Sequence, residues 1–188
     1  MAAHPTRRVV LTAAAALPLA VASGCGGVDV LSAPPRPAPD VALLRSAIAA
    51  EQLMVARYIN VLSAARNPGA TPAARRGGSP AALSAALEPV LAEHRAHLAQ
   101  LRSRLIVPAG AAPSPSERAP AAPAPPAAPA AAVAFLREAE EAAATAMLDR
   151  LPQAPGSLAQ LFASISASEA THVPVLDALL LDTGGTGG

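Results

Sequence analysis

Glu169-Ala170-Thr171-His172 places a carboxylate and an imidazole three residues apart, which on a helix puts both on one face. Glu51, His94, His97 and Glu140 stand, like this pair, where an apolar periodicity would call for Leu. Burying a lone carboxylate costs several kcal/mol unless it is paired or bound to metal. Carboxylate oxygens and imidazole nitrogens suit iron, manganese or zinc, and two adjacent divalent cations would offset repulsion among the carboxylates. The same residues can instead pair among themselves, His94 or His97 with Glu51 or Glu169, as hydrogen-bonded ion pairs in a metal-free core. The residue types alone leave both readings open. Tyr58, seven residues after Glu51, is placed either to hydrogen-bond a ligand carboxylate or simply to fill core with its hydroxyl satisfied.

Amphipathic helices must carry these groups. Asp40 is the expected N-cap of a first helix running to about Ala65. Its stripe is Leu44, Ile48, Glu51, Val55, Tyr58 and Leu62, in steps of four and three. Residues 67–78, with Pro68, Gly69, Pro72, Gly77 and Gly78, read as a loop. Ser79-Pro80 then caps a second helix reaching about Ile106, with the stripe Leu83, Leu87, Val90, His94, His97, Leu101 and Leu105. Pro89 should kink this helix or delay its start. A third helix is expected over about 131–151. Phe135, Leu136, Ala139, Ala143, Met147 and Leu151 share a face with Glu140, while Glu138 and Glu141 point away. Ser157 should cap a fourth, with the stripe Leu158, Phe162, Ile165, Glu169, His172, Leu176 and Leu179, bent at Pro174. Residues 183–188 read as a Gly-rich tail.

Connection lengths then select a topology. Residues 108–130 hold eight of the 21 prolines, nearly all the rest being Ala or Ser. Such a segment forms no core and reads as an extended connection. At about 3 Å per residue it can run the length of a helix bundle. Two antiparallel hairpins joined by one long crossover make the expected fold an all-α antiparallel four-helix bundle over residues 40–182.

In these residues the chain resembles the ferritin-like carboxylate family, in particular the ferritin-like domains of exported bacterial proteins. The family pattern is one Glu on each of two helices and Glu-x-x-His on each of the other two. Glu51 and Glu140 match the single positions, and Glu169/His172 match one paired motif. The second helix departs from the pattern, because His94, not Glu, stands three before His97. Either His94 replaces that Glu, or Glu93, one turn before His97, swings in. The resemblance implies a di-iron or di-manganese centre acting on oxygen, peroxide or ferrous iron, held by Glu51, His97, Glu140, Glu169 and His172 with His94 or Glu93 completing the set. If the altered motif disables the site, no cofactor is implied, and the bundle is a structural or binding module of the cell envelope.

The N-terminus reads as an address. Arg7 and Arg8 precede the apolar stretch Val9 to Ala22, too short for a spanning helix. Thr6-Arg7-Arg8-Val9-Val10-Leu11 resembles a twin-arginine export motif. Ala22-Ser23-Gly24-Cys25 resembles a lipobox, and Cys25 is the chain's only cysteine. The expectation is a signal peptide over 1–24, lipid on Cys25 and a Gly/Pro-rich tether over 25–39, with the domain held at the outer face of a bacterial cytoplasmic membrane. Composition adds exclusions. Of 188 residues, 14% are charged and 2% aromatic, and the net charge is +1. That offers neither a basic footprint nor a stacking platform for nucleic acid. One cysteine excludes an intramolecular disulfide. A monomer or dimer is expected.

Overall fold

In the computed structural model, residues 39–66, 79–106 and 121–184 are described. The expected signal segment with Arg7, Arg8 and Cys25, nearly all the tether, the 67–78 loop, much of the crossover and residues 185–188 lie outside them. Four helices make up the described chain: α1 (Pro39–Arg66), α2 (Pro80–Arg104), α3 (Pro129–Leu148) and α4 (Gly156–Gly184). A short 3-10 turn, Leu151–Gln153, joins the last two. None of the described helices is long and apolar enough to cross a membrane.

Proline sets the helix starts. Pro39, Pro80 and Pro129 each occupy the first helical position, where the missing N–H would have had no partner and φ is already helical. Asp40 is therefore not the cap of α1 but an acid of its first turn, where it favours the helix dipole. For the same reason α3 begins at Pro129 rather than near 131. Before α4, the Pro155 carbonyl accepts from the N–H groups of Leu158 and Ala159, so Ser157 falls inside the first turn instead of capping it. Ser79 does hold the N-cap position of α2, but its side chain makes no capping bond.

The ends also moved. α2 stops at Arg104 because Leu105 turns extended. α3 stops at Leu148: Pro152, four residues on, has no N–H to give the Leu148 carbonyl, and the chain tightens into the 3-10 turn. Pro89 does not delay α2, and α4 continues through Pro174. Both prolines are exposed, as are Ala85 and Ala170 four residues upstream, so water can reach the carbonyls that lose their helical partner.

Cross-helix contacts give the directions. Arg66, at the end of α1, meets Glu88 near the start of α2 at 2.6 Å. Arg137, near the middle of α3, meets Asp177, late in α4, while Ala144, late in α3, accepts from Ser166, earlier in α4. Arg150, just after α3, reaches Ser46 near the start of α1. So α1 is antiparallel to α2 and α3, and α3 is antiparallel to α4. It follows that α2 and α3 run the same way. The chain must return along the bundle between them, about 37 Å for a helix of α2's length. The described end of that return, residues 121–128, has neither helix nor strand. Its Pro126 and Ala127 line a crevice with Val61, Ala64 and Leu83, at the end of the bundle where α3 begins.

The core is two apolar clusters with a polar layer between. One gathers Met54, Tyr58, Leu62, Leu87, Val90, Val133, Leu136 and Leu176. The other gathers Leu44, Ile48, Leu98, Leu101, Met147, Leu158, Phe162 and Ile165. Each such side chain fully removed from water contributes roughly 1.5–3 kcal/mol, which holds the polar residues between them away from solvent. The expected stripes are recognisable here. Phe135, Ala143 and Leu151, expected on the inward face of α3, are only partly buried; Val133 and Ala144 are buried in that helix.

Candidate metal centre

Glu51 on α1, His94 on α2, Glu140 on α3, and Glu169 and His172 on α4 are all buried in this layer. His97 is nearly so, its side chain 12% exposed. Every expected stripe residue of ligand type therefore faces the same interior. Glu93 does not: its side chain is 53% exposed.

His94 lies at the centre. Its Nδ1 is 2.9 Å from Glu51 Oε2 and its Nε2 is 2.8 Å from Glu140 Oε1. Two carboxylate acceptors require both ring nitrogens to donate, which only imidazolium can do. Burial pushes the His94 pKa down, but the bonds and charges of Glu140 and Glu51 outweigh it and hold it up at about 10. His172 repeats the arrangement further out, with Nδ1 3.2 Å from Glu140 Oε2 and Nε2 2.9 Å from Glu93 Oε2. Its pKa is likewise raised: burial opposes the charged form and the two carboxylates prevail.

The acids answer in kind. Burial would raise Glu140, yet bonds from His172, His94 and Tyr58 bring it down to about 2. Burial also works against ionised Glu51, and His94 and His97 overcome it. Glu169 goes the other way. Burial and then the negative charge of Glu51 push it up, which favours its neutral form. Tyr58, raised by burial and by the neighbouring Glu140 charge, donates its hydroxyl to Glu140 Oε1.

Three buried atoms of this layer have no hydrogen-bond partner: Glu51 Oε1, His97 Nδ1 and Glu169 Oε2. The first two are 3.5 Å apart, too far for a firm bond. All three are of the kinds that ligate divalent metals, so the residues present fit a metal ion. Among the described residues, two groups bring one ligand atom per residue within 4.8 Å of one another: Glu51, His94 and His97, and His94, Glu140 and His172. These buried Glu and His groups can hold metal ions, and they resemble a di-metal site.

The family comparison bears on the same stretch. A family profile described as a ferritin-like domain matches residues 39–182. The chain belongs to the ferritin-like domain family. No curated protein and no solved structure was found to match it.

On this ferritin-like domain the departure on α2 takes a definite form. His94, not Glu93, occupies the interior position. Glu93 sits at the rim, where it accepts from His172 Nε2 and from Ser168 Oγ, and its pKa is lowered chiefly by the His172 bond. Tyr58 finds its acceptor in Glu140. Two features had gone unread. Gln52 is buried beside Glu51 with its Oε1 unpartnered, one position off the expected stripe. Ser168, one residue before Glu169, carries no motif signal in the sequence, yet its hydroxyl ties Glu93 to α4.

Proposed function

We propose that this chain is an exported ferritin-like lipoprotein whose Glu/His layer holds two divalent metal ions, iron or manganese, for oxygen, peroxide or ferrous-iron chemistry. The observation that carries the reading is the convergence, in one buried layer, of ligand-type side chains from all four helices, three of them with an unpartnered ligand atom. Glu51, His94, His97, Glu140, Glu169 and His172 would be the ligands. Bound iron or manganese would supply redox and Lewis-acid chemistry. The chain would supply water exclusion through the two apolar clusters. Tyr58 would orient the Glu140 carboxylate, and Glu93 would fix the ring of His172.

A second reading rests on a different observation. His94 and His172 already pair with Glu51, Glu140 and Glu93 through hydrogen bonds, so the layer has internal pairing without metal. On that reading the bundle is a structural or binding module of the envelope. Elemental analysis of chelator-free protein, with melting in added iron or manganese, separates the two. Bound metal stabilises only the folded form. The metal reading expects stoichiometric metal, a melting temperature that rises with added ion, and loss of both in a Glu169→Ala, His172→Ala double variant. Less than about a tenth of an equivalent of transition metal, with melting indifferent to added ion, selects the structural module.

Export and anchoring belong to the same proposal and rest on Arg7, Arg8 and the Cys25 context. Two acyl chains give stable attachment where one is marginal. Cys25→Ala should leave the precursor uncleaved and free of lipid. An unmodified Cys25 in the native protein, read by mass spectrometry, overturns this part.

A further inference from the structure

We infer that His94 divides the polar layer into two metal compartments and serves both, presenting Nδ1 to one ion and Nε2 to the other, so that the ions are bridged by an imidazole ring instead of a carboxylate. The inference rests on the metal reading above and specifies how the centre is built.

The geometry carries it. The two candidate ligand groups have one member in common, and it is His94. Its two nitrogens face opposite carboxylates, Glu51 on one side at 2.9 Å and Glu140 on the other at 2.8 Å. His97 stands on the Glu51 side, 3.5 Å from Glu51 Oε1, and His172 on the Glu140 side, 3.2 Å from Glu140 Oε2. Each compartment thus has one carboxylate, one imidazole of its own and one nitrogen of the shared ring. The buried, unpartnered Oε2 of Glu169 adds a further ligand atom, on a carboxyl that feels the charge of Glu51.

Chemistry fixes the consequences. A carboxylate bridge holds two ions about 3.5–4 Å apart. An imidazole ring between two metal–nitrogen bonds of about 2.0–2.1 Å sets them about 6 Å apart. Each ion replaces one ring proton of His94, and both protons leave to solvent. Glu93 cannot restore a carboxylate bridge, because it lies at the rim and is engaged by His172 and Ser168.

The test loads the full-length chain, in separate samples, with iron(II) under exclusion of oxygen, with manganese(II) and with zinc(II). Stoichiometry is read by elemental analysis, and X-ray absorption is recorded on the metal held most tightly. Two equivalents with no metal–metal distance between 3 and 4 Å are expected. His97→Ala and His172→Ala should each retain one equivalent, and His94→Ala should weaken both by at least tenfold. His94→Glu supplies a second variant: with helical content retained, it should bring in a metal–metal distance near 3.5–4 Å. A distance in that range in the unmutated protein overturns the inference and leaves the metal reading intact. So does a single equivalent that His97→Ala and His172→Ala both abolish, or a His94→Glu spectrum unchanged from the parent. No bound metal in any of the three samples overturns the metal reading together with the inference.

Discussion

The two sides of His94 differ in how well they are already satisfied. On the α3/α4 side, Glu140 accepts from Tyr58, His94 and His172, and His172 uses both ring nitrogens. On the Glu51 side, Glu51 Oε1, His97 Nδ1 and Glu169 Oε2 are all without a partner. A buried polar group without a partner costs about 1–3 kcal/mol. The first side is therefore self-sufficient and holds the fold together. The second carries an unfavourable state that an added cation would relieve. Structure and ligand binding are distributed unevenly within one layer, and substitutions should separate them.

The largest effect is expected from Glu140→Ala. It leaves His94, His172 and Tyr58 facing a cavity where their common acceptor stood, and removing one partner of a buried pair costs about 3–5 kcal/mol. Glu169→Gln is its counterpart on the other side. Glu169 is already neutral, so a neutral isostere should change metal-free stability by less than about 1 kcal/mol. Urea unfolding of the metal-free protein measures both. Equal losses at the two positions would erase the proposed contrast.

Metal loading probes the contrast at the next scale. On the Glu51 side an ion must displace the His94–Glu51 bond but finds three unpartnered atoms, whereas an ion at Glu140 and His172 must displace several hydrogen bonds and finds none. The tighter equivalent should therefore depend on His97 and the weaker on His172. His97→Ala should lower the tighter affinity at least tenfold, about 1.4 kcal/mol, and leave the weaker nearly unchanged, as read by competition with a chelator of known affinity. The reverse dependence would place the more receptive compartment on the α3/α4 side.

Much of this architecture was readable from the chain because two periodicities reinforce each other. Leu, Ile and Val at steps of three and four mark the buried faces, and Glu51, Glu140, Glu169 and His172 fall in register with them. The Pro/Ala-rich link made parallel α2 and α3 the economical arrangement. Helix starts were misplaced by one or two residues: at α1, Pro39 needs no N–H partner and takes the first helical position ahead of Asp40, and at α4 the Pro155 carbonyl accepts the first-turn bonds ahead of Ser157. The choice between His94 and Glu93 was not readable. On a helical wheel both lie near the apolar face, and what decides is the neighbour. α4 packs against α2 so that Ser168 and His172 meet Glu93 outside the core, and that is a property of tertiary packing. Tyr58 could be assigned a face, but its partner, 82 residues away at Glu140, could not.

The smallest effect, and the finest test of the two sides, is expected at Glu93. Its carboxylate is half exposed, so its pairing with His172 is screened by water and adds no more than about 1 kcal/mol to the fold. Its consequence for ligation is larger than that figure implies. By accepting from Nε2, Glu93 fixes the ring orientation of His172 and leaves Nδ1 turned toward Glu140. A metal-ligating histidine that loses such a partner typically loses about 10–100-fold in metal affinity. Glu93→Gln keeps an acceptor oxygen on a side chain of the same length, whereas Glu93→Ala removes it. Melting of the metal-free protein should barely move in either variant. The affinity of the weaker equivalent should fall about tenfold or more in Glu93→Ala, with Glu93→Gln recovering part of the loss, and the tighter equivalent on the Glu51 side should be unchanged in both. If the tighter equivalent fell by the same factor, Glu93 would be acting on the layer as a whole, and the division at His94 would not extend to the way the two sides bind metal.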